Sequence, residues 1–235
     1  MGLFDFFKKK SNQDNDSSSD VEDNSIELEN DDSALGWDAI TEEFERIYPE
    51  QQDPQHYGTL IKYFMGGSDP LDGISVYDAG EFWHFISYGL TELYAKESED
   101  LEYSGFGFEF TFKLKKSGGD DEEEILSVCS NLQKLARYVF ESGNVIGPTE
   151  YIYTRQEEGI DAKQMSKLTG FITASDDLVS TISTPYGQVS FITLIGATDA
   201  ELKAIYESDN SKELIKELQM KLGNQLTDYH RESLI

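Results

Sequence analysis

Few groups in this chain can do covalent chemistry. Of 235 residues one is cysteine, Cys129, and three are histidine. A single thiol excludes an internal disulfide and a thiolate metal cluster, and it suits a reducing, cytoplasmic setting. His56, His84 and His230 share no metal-binding spacing, so neither a metal nor a cofactor is expected. No G-x-S-x-G elbow, P-loop or dinucleotide fingerprint occurs. Gly105-Phe106-Gly107 leads into a strand pattern instead of a helix, so it lacks the helix N-terminus a phosphate cradle needs. Bases are scarce too: 19 against 46 acids, net charge −27. Phosphate binding needs a basic footprint, which argues against nucleic acid as a partner. A basic protein is the natural complement, although acidity alone also keeps a protein soluble. No apolar run approaches the roughly 20 residues of a membrane span.

What is present divides into a polar leader and a domain. MGLFDFFKKK is not a secretory signal, because its bases follow the apolar run. Phe6 stands where myristoylation expects Ser or Thr. Leu3–Lys10 is a weak candidate for contact with an anionic membrane surface. Ser11–Ser33 has nine acids and no base. Such a segment buries too little apolar surface to offset its ordering entropy, so residues 1–33 are expected to be an apolar/basic start and a disordered acidic linker. The folded domain is expected over 34–235.

Within it, Trp37, Ile40, Phe44 and Ile47 recur at helical spacing and end before Pro49. Leu60–Met65, Ile74–Tyr77 and Phe82–Tyr88 read as strands, with the turn SDPLDG (Ser68–Gly73) after the first. In Phe106–Leu114, Phe106, Phe108, Phe110, Phe112 and Leu114 alternate with Gly107, Glu109, Thr111 and Lys113. That period of two predicts a strand with one aromatic face buried. Glu122–Glu141 carries a helical stripe that includes Cys129, which reads as a buried structural thiol. Gly143 or Asn144 would end that helix. Leu168–Ala174, Leu178–Thr184 and Gln188–Ile195 are β-rich, with a turn at Pro185–Gly187. Thr198 and Glu201 make a capping box, and a last helix runs from Ser211 to its stop at Gly223. The fold class is α+β (mixed α/β): a mixed sheet packed against helices.

Candidate sites fall into two chemistries. Asp69 with Asp72 and Glu81 with Glu109 are carboxylate pairs that could act as acid and base, with His84 beside them in a hydrolase or transferase. Chance pairs are abundant among 46 acids. The amphipathic aromatics Tyr63, Tyr77, Trp83, Tyr88 and Tyr94 are the types enriched in protein-interface hot spots.

Five blocks carry a resemblance: IYPEQQDP (Ile47–Pro54), IKYFMGGSDPLDGISVY (Ile61–Tyr77), WHFISYGLTELY (Trp83–Tyr94), SGFGFEFTFKLK (Ser104–Lys115) and LARYVFESGN (Leu135–Asn144). With TPYGQVSFITLIGATDAEL and LTDYHRES they resemble the suppressor of fused family from about Gly36 onward. The resemblance implies a non-catalytic α/β binding protein. Eukaryotic members of the family hold Hedgehog-pathway transcription factors in the cytoplasm, two domains clasping a peptide that adds as a strand. This chain resembles the N-terminal domain alone. Lys96 stands where those members carry an acid, whereas Glu109 is kept. Bacterial single-domain members are proposed immunity proteins that neutralise a toxin. The expectation is therefore a protein-binding domain, an immunity protein against a basic toxin domain or an adaptor. Its partner-binding residues would be Asp69, Asp72, Trp83, His84, Tyr88, Tyr94 and Glu109.

Overall fold

A computed structural model describes residues 34–235. The expectations for Leu3–Lys10 and for the acidic linker lie outside those residues. One mixed sheet of eight strands organises the rest. In chain order the elements are α1 (Leu35–Ile47), β1 (Gln55–Gly58), β2 (Gly73–Asp78), β3 (Phe82–Tyr88), β4 (Tyr103–Lys115), α2 (Glu122–Ser142), β5 (Tyr151–Ile152), β6 (Leu168–Ser175), β7 (Ile182–Thr184), β8 (Gly187–Thr198), α3 (Asp199–Glu207) and α4 (Ser211–Leu222). The strand order is β1-β2-β3-β4-β8-β6-β5, with β7 paired to β8 off that path. The β4–β8 pair at the centre is parallel, and the other pairs are antiparallel.

The period-two pattern of β4 sets the layers. Phe108, Phe110 and Phe112 pack with Ile125, Val128, Leu132, Ala136 and Val139 of α2 on one face. On the other, Ile40 and Phe44 of α1 pack with Tyr77, Ile86, Tyr88 and Phe191. Leu202, Ile205, Ile215 and Leu218 of α3 and α4 close that second face over Ile172 and Ile195. Each large apolar side chain withdrawn from water this way contributes about 2–3 kcal/mol. Gly143 ends α2 in the left-handed conformation, φ 70°, a turn that only glycine makes at no steric cost. The Thr198–Glu201 capping box opens α3 as the sequence predicts.

The structure corrects two expectations, at Leu60–Met65 and at Leu178–Thr184. Leu60–Met65 is not a strand: Leu60 and Ile61 are exposed and Tyr63–Met65 is a single 3-10 turn. The pairing strand lies earlier, at Gln55–Gly58. β4 has no polar solvent face, since Glu109, Thr111 and Lys113 are buried beneath the second layer. Of Leu178–Thr184 only the last three residues are a strand. The two-residue β5 carries no readable pattern, being too short for a period.

Candidate protein-interaction site

The residues singled out from the sequence lie on the β1–β4 half of the sheet, and the fold sorts them by depth. His84 and Tyr88 come from β3 and Glu109 from β4; all three are 0 % exposed. In this structure they present no surface, so a partner would meet only the residues they position. Asp72 is buried in the turn before β2. Trp83 and Tyr94 are half-buried, and Asp69 is half-exposed on the rim.

His84 is held on both ring nitrogens. Nε2 lies 3.2 Å from Asp176 Oδ2, and Nδ1 lies 2.8 Å from the Tyr48 hydroxyl. A carboxylate can only accept, so the assignment places the proton on Nε2 and leaves Nδ1 to accept from Tyr48. Burial lowers the His84 pKa more than Asp176 raises it, which keeps the ring neutral. Asp176 also accepts from Thr111 Oγ1 at 2.6 Å and pairs with Lys113 Nζ at 2.8 Å. Burial alone would raise this carboxyl. The bonds from His84 and the Lys113 ammonium outweigh that and hold it well below the usual carboxylate range. His84 therefore has neither a free nitrogen nor a path to a substrate.

Glu109 is the other buried acid. It accepts from the backbone amides of Gly89 and Thr91, both at 2.9 Å, from Thr91 Oγ1 at 2.7 Å, and from Ser87 Oγ. Those four donors staple the chain leaving β3 onto β4. Burial outweighs them and pushes the carboxyl up to about 7. Gly89 at φ +143° fits the close approach, because a Cβ there would meet the Pro70 carbonyl at 2.5 Å. The paired-carboxylate chemistry is not assembled. Glu81 sits at the Lys115–Lys116 end of the β3–β4 pair and Glu109 towards the other. Asp69 and Asp72 each have their own cation, Arg137 and Lys62.

The surface is made instead by the segment misread as a strand. Leu60, Ile61 and Met65 project into solvent, Tyr63 packs edge-on against Phe140 at 4.9 Å, and Lys62 between them folds back. Its ammonium lies 4.4 Å from the Tyr94 ring centre, 5.7 Å from that of Trp37 and 3.6 Å from Asp72 Oδ2, and it donates to the Tyr94 hydroxyl. Trp37 in turn stacks on Tyr88 at 4.1 Å. A cation between two aromatic faces and a carboxylate anchors this arm with its apolar side chains outward. Beside it β1 ends the sheet. On the next strands Trp83 donates to Asp121 at 2.9 Å under the Lys116 ammonium. Contiguous exposed apolar side chains of this kind mark interaction surfaces. The sequence held one signal for the arm: the Gly66-Gly67 pair that turns it back. Lys96 reaches the carbonyls of Tyr103 and Tyr186 and the Glu92 carboxylate, so the departure at this position is used internally.

A family model described as suppressor of fused protein matches residues 67–232. The chain belongs to the suppressor of fused family. Suppressor of fused homologues of Homo sapiens and Mus musculus are each 33 % identical over 181 residues, covering 71 % of this chain and 36 % of theirs. The chain thus spans about a third of the length of those relatives. Among solved structures, a chain of the Sufu–Fu complex matches with a TM-score of 0.75 and 31 % identity, over 85 % of this chain and 92 % of that one. Drosophila Suppressor of Fused matches at 0.73 and 29 %, over 86 % and 51 %. A suppressor of fused homologue from Neisseria gonorrhoeae, 15 % identical with a TM-score of 0.54 over 85 % and 97 %, shares the fold. No described helix is long and apolar enough to cross a membrane.

Proposed function

We propose that this chain is a non-catalytic protein-binding domain that acts in the cytoplasm by masking a surface of another protein, as an immunity protein against a basic toxin domain or as an adaptor. The observation that carries the reading is the correspondence with the Sufu–Fu complex. This chain covers 92 % of a chain in that structure, so its extent is that of a unit found in a protein complex. The exposed arm Leu60–Met65 supplies apolar anchors. The net charge of −27 would speed encounter with a basic partner and make it salt-sensitive. Asp69 and Tyr94 lie beside the arm, and Trp83 lies at the other end of β3. Asp72, His84, Tyr88 and Glu109 act beneath the surface as the frame. No observation favours the carboxylate–His84 hydrolase or transferase, since His84 is enclosed and both its nitrogens are engaged.

The test is capture from the native host by the tagged full chain at low salt, with a matched wash at about 0.5 M salt, where charge screening is nearly complete. The expected result is one stoichiometric basic protein, retained at low salt, released by the wash, and lost with Leu60→Asp. No stoichiometric partner, or one indifferent to both salt and Leu60→Asp, would overturn the reading.

A further inference from the structure

The far end of the sheet carries two exposed cations, Lys134 and Arg155, with Glu150 in the same groove and the Asp199 carboxylate bonded to the Tyr153 hydroxyl. β5 closes the strand order. Apart from its pairing with β6, no hydrogen bond reaches the backbone of Tyr151 or Ile152 among the described residues. That free edge lies in a groove of about 760 Å³, walled by Lys134, Leu135 and Tyr138 of α2 on one side and by Tyr153, Arg155 and Tyr206 on the other.

Both cations of the groove, Lys134 and Arg155, are exposed. Neither Lys134 nor Arg155 makes an ion pair among the described residues, in a chain with 46 acids and only 19 bases. The Arg155 guanidinium lies 4.7 Å from the Tyr206 ring centre and 6.0 Å from that of Tyr153. Stacking uses the face of the group and leaves its N–H edge available to a carboxylate. Glu150, the acid of the groove, is turned to the Gly147 amide at 3.3 Å. Arg155 is one of three non-glycine residues with positive φ among those described; the others, Thr149 and Gln164, also lie on the segment that carries β5 and its continuation. A non-glycine left-handed residue costs free energy and clusters at working surfaces. Here it turns the chain so that Arg155 rests on Tyr206.

We infer that this groove docks an extended acidic segment of a partner protein, which adds to the outer edge of β5 as a strand. One carboxylate sits on Arg155 and another near Lys134, and an apolar side chain lies against Leu135, Tyr138 and Val145. Main-chain bonds supply affinity in this mode, and alternate side chains supply selection. The site is independent of the proposed function: it lies at the other end of the strand order from the Leu60–Met65 arm and takes the opposite charge.

The experiment is an NMR titration of the full chain with the peptide Ac-Val-Glu-Tyr-Glu-Val-Glu-NH2 and with its counterpart bearing Lys for Glu. The acidic peptide is expected to shift the amides of Tyr151, Ile152 and Thr154, and the lysine counterpart is not. N-methylation of alternate peptide amides should abolish the shifts in one register and spare them in the other. Lys134→Glu with Arg155→Glu should weaken binding about tenfold or more, since two exposed attractive pairs become repulsive. Both side chains are exposed, so the variant is expected to keep the wild-type melting temperature. Equal binding of the two peptides, shifts confined elsewhere, no shifts at all, or indifference to the double reversal would each overturn the inference. Insensitivity to N-methylation would overturn strand addition. None of these results bears on whether Leu60→Asp releases a basic partner.

Discussion

Glu109 and Asp176 are both carboxylates enclosed by the second layer of helices, and they are stabilised in opposite ways. Glu109 is met by dipoles alone: two backbone amides and two hydroxyls. Asp176 is met by an ammonium as well as by His84 and Thr111. Four donors leave the first carboxyl up at about 7, while one lysine and three donors, the Leu178 amide among them, hold the second well below its usual range. Hydrogen bonds orient a buried acid, but a counter-charge is what keeps it ionised. The two also fasten different things. Glu109 fastens a connection to its neighbouring strand. Asp176 draws the segment after β6 to β3 and β4, and Lys113 extends the tie to Gln225 at 3.1 Å.

The comparison breaks most severely at Lys113. Lys113→Met leaves Asp176 buried without its cation and is expected to cost about 3–5 kcal/mol in chemical denaturation. Adding Asp176→Leu should return a large part of that loss, because an apolar pair replaces the ionic one. A double variant no more stable than Lys113→Met would show that the pair is not the seat of the effect.

The pH dependence sharpens it next, since the two acids act in different windows with opposite slopes. Glu109 has its folded pKa raised, from 4.5 to about 7. Its contribution is therefore full below 4.5 and falls as pH rises through 7, by about 3 kcal/mol in all. Glu109→Gln should flatten stability between pH 4.5 and 7 in a denaturation series. Asp176 has its folded pKa depressed from 3.8. Its contribution is full above that value and is lost as pH falls below it. Asp176→Asn, although less stable at neutral pH, should lose less of its remaining stability below pH 3.8. Identical profiles for wild type and Glu109→Gln would remove the distinction between the two sites.

The smallest effect is expected at the surface. Lys62→Met removes a half-exposed cation from between Trp37 and Tyr94 and should cost about 0.5–1 kcal/mol. Hydrogen exchange of the amides from Leu60 to Gly67 should rise while β4 is unaffected. Exchange spread evenly over the sheet would show that the arm is not held by this contact.

How much of this was legible in the sequence follows from what each residue's neighbours are. The β4 alternation reads directly, because five apolar side chains at period two have one folded solution. α1 and α2 read as directly from their stripes, and the Thr198–Glu201 box states its own geometry. Leu60–Met65 misled because exposed apolar residues and core residues share a composition; only the absence of a partner strand separates them. Among the site residues, Glu109 and His84 were visible as unusual types inside strand patterns. Their burial was not, since it depends on α1 and the segment after β6 covering a face whose Glu109, Thr111 and Lys113 read as polar. Asp176 was not singled out at all. In SDD (Ser175–Asp177) it looks like one more acid at a strand end, and Lys113, 63 positions away, is what distinguishes it.

The central pair of the sheet has a consequence for how the chain folds. β4 and β8 are parallel neighbours, yet α2, β5, β6 and β7 lie between them in sequence. Closing so long a connection carries its entropic cost before the pairing returns any free energy, so pairing of the centre is expected to be the slow step. Until then β4 exposes a run of alternating phenylalanines along an unpaired edge, the kind of surface on which chains associate wrongly. The 27 excess negative charges are present throughout that interval. Mutual repulsion between copies keeps unfinished chains apart, so the acidic composition protects the slowest step in reaching the native state.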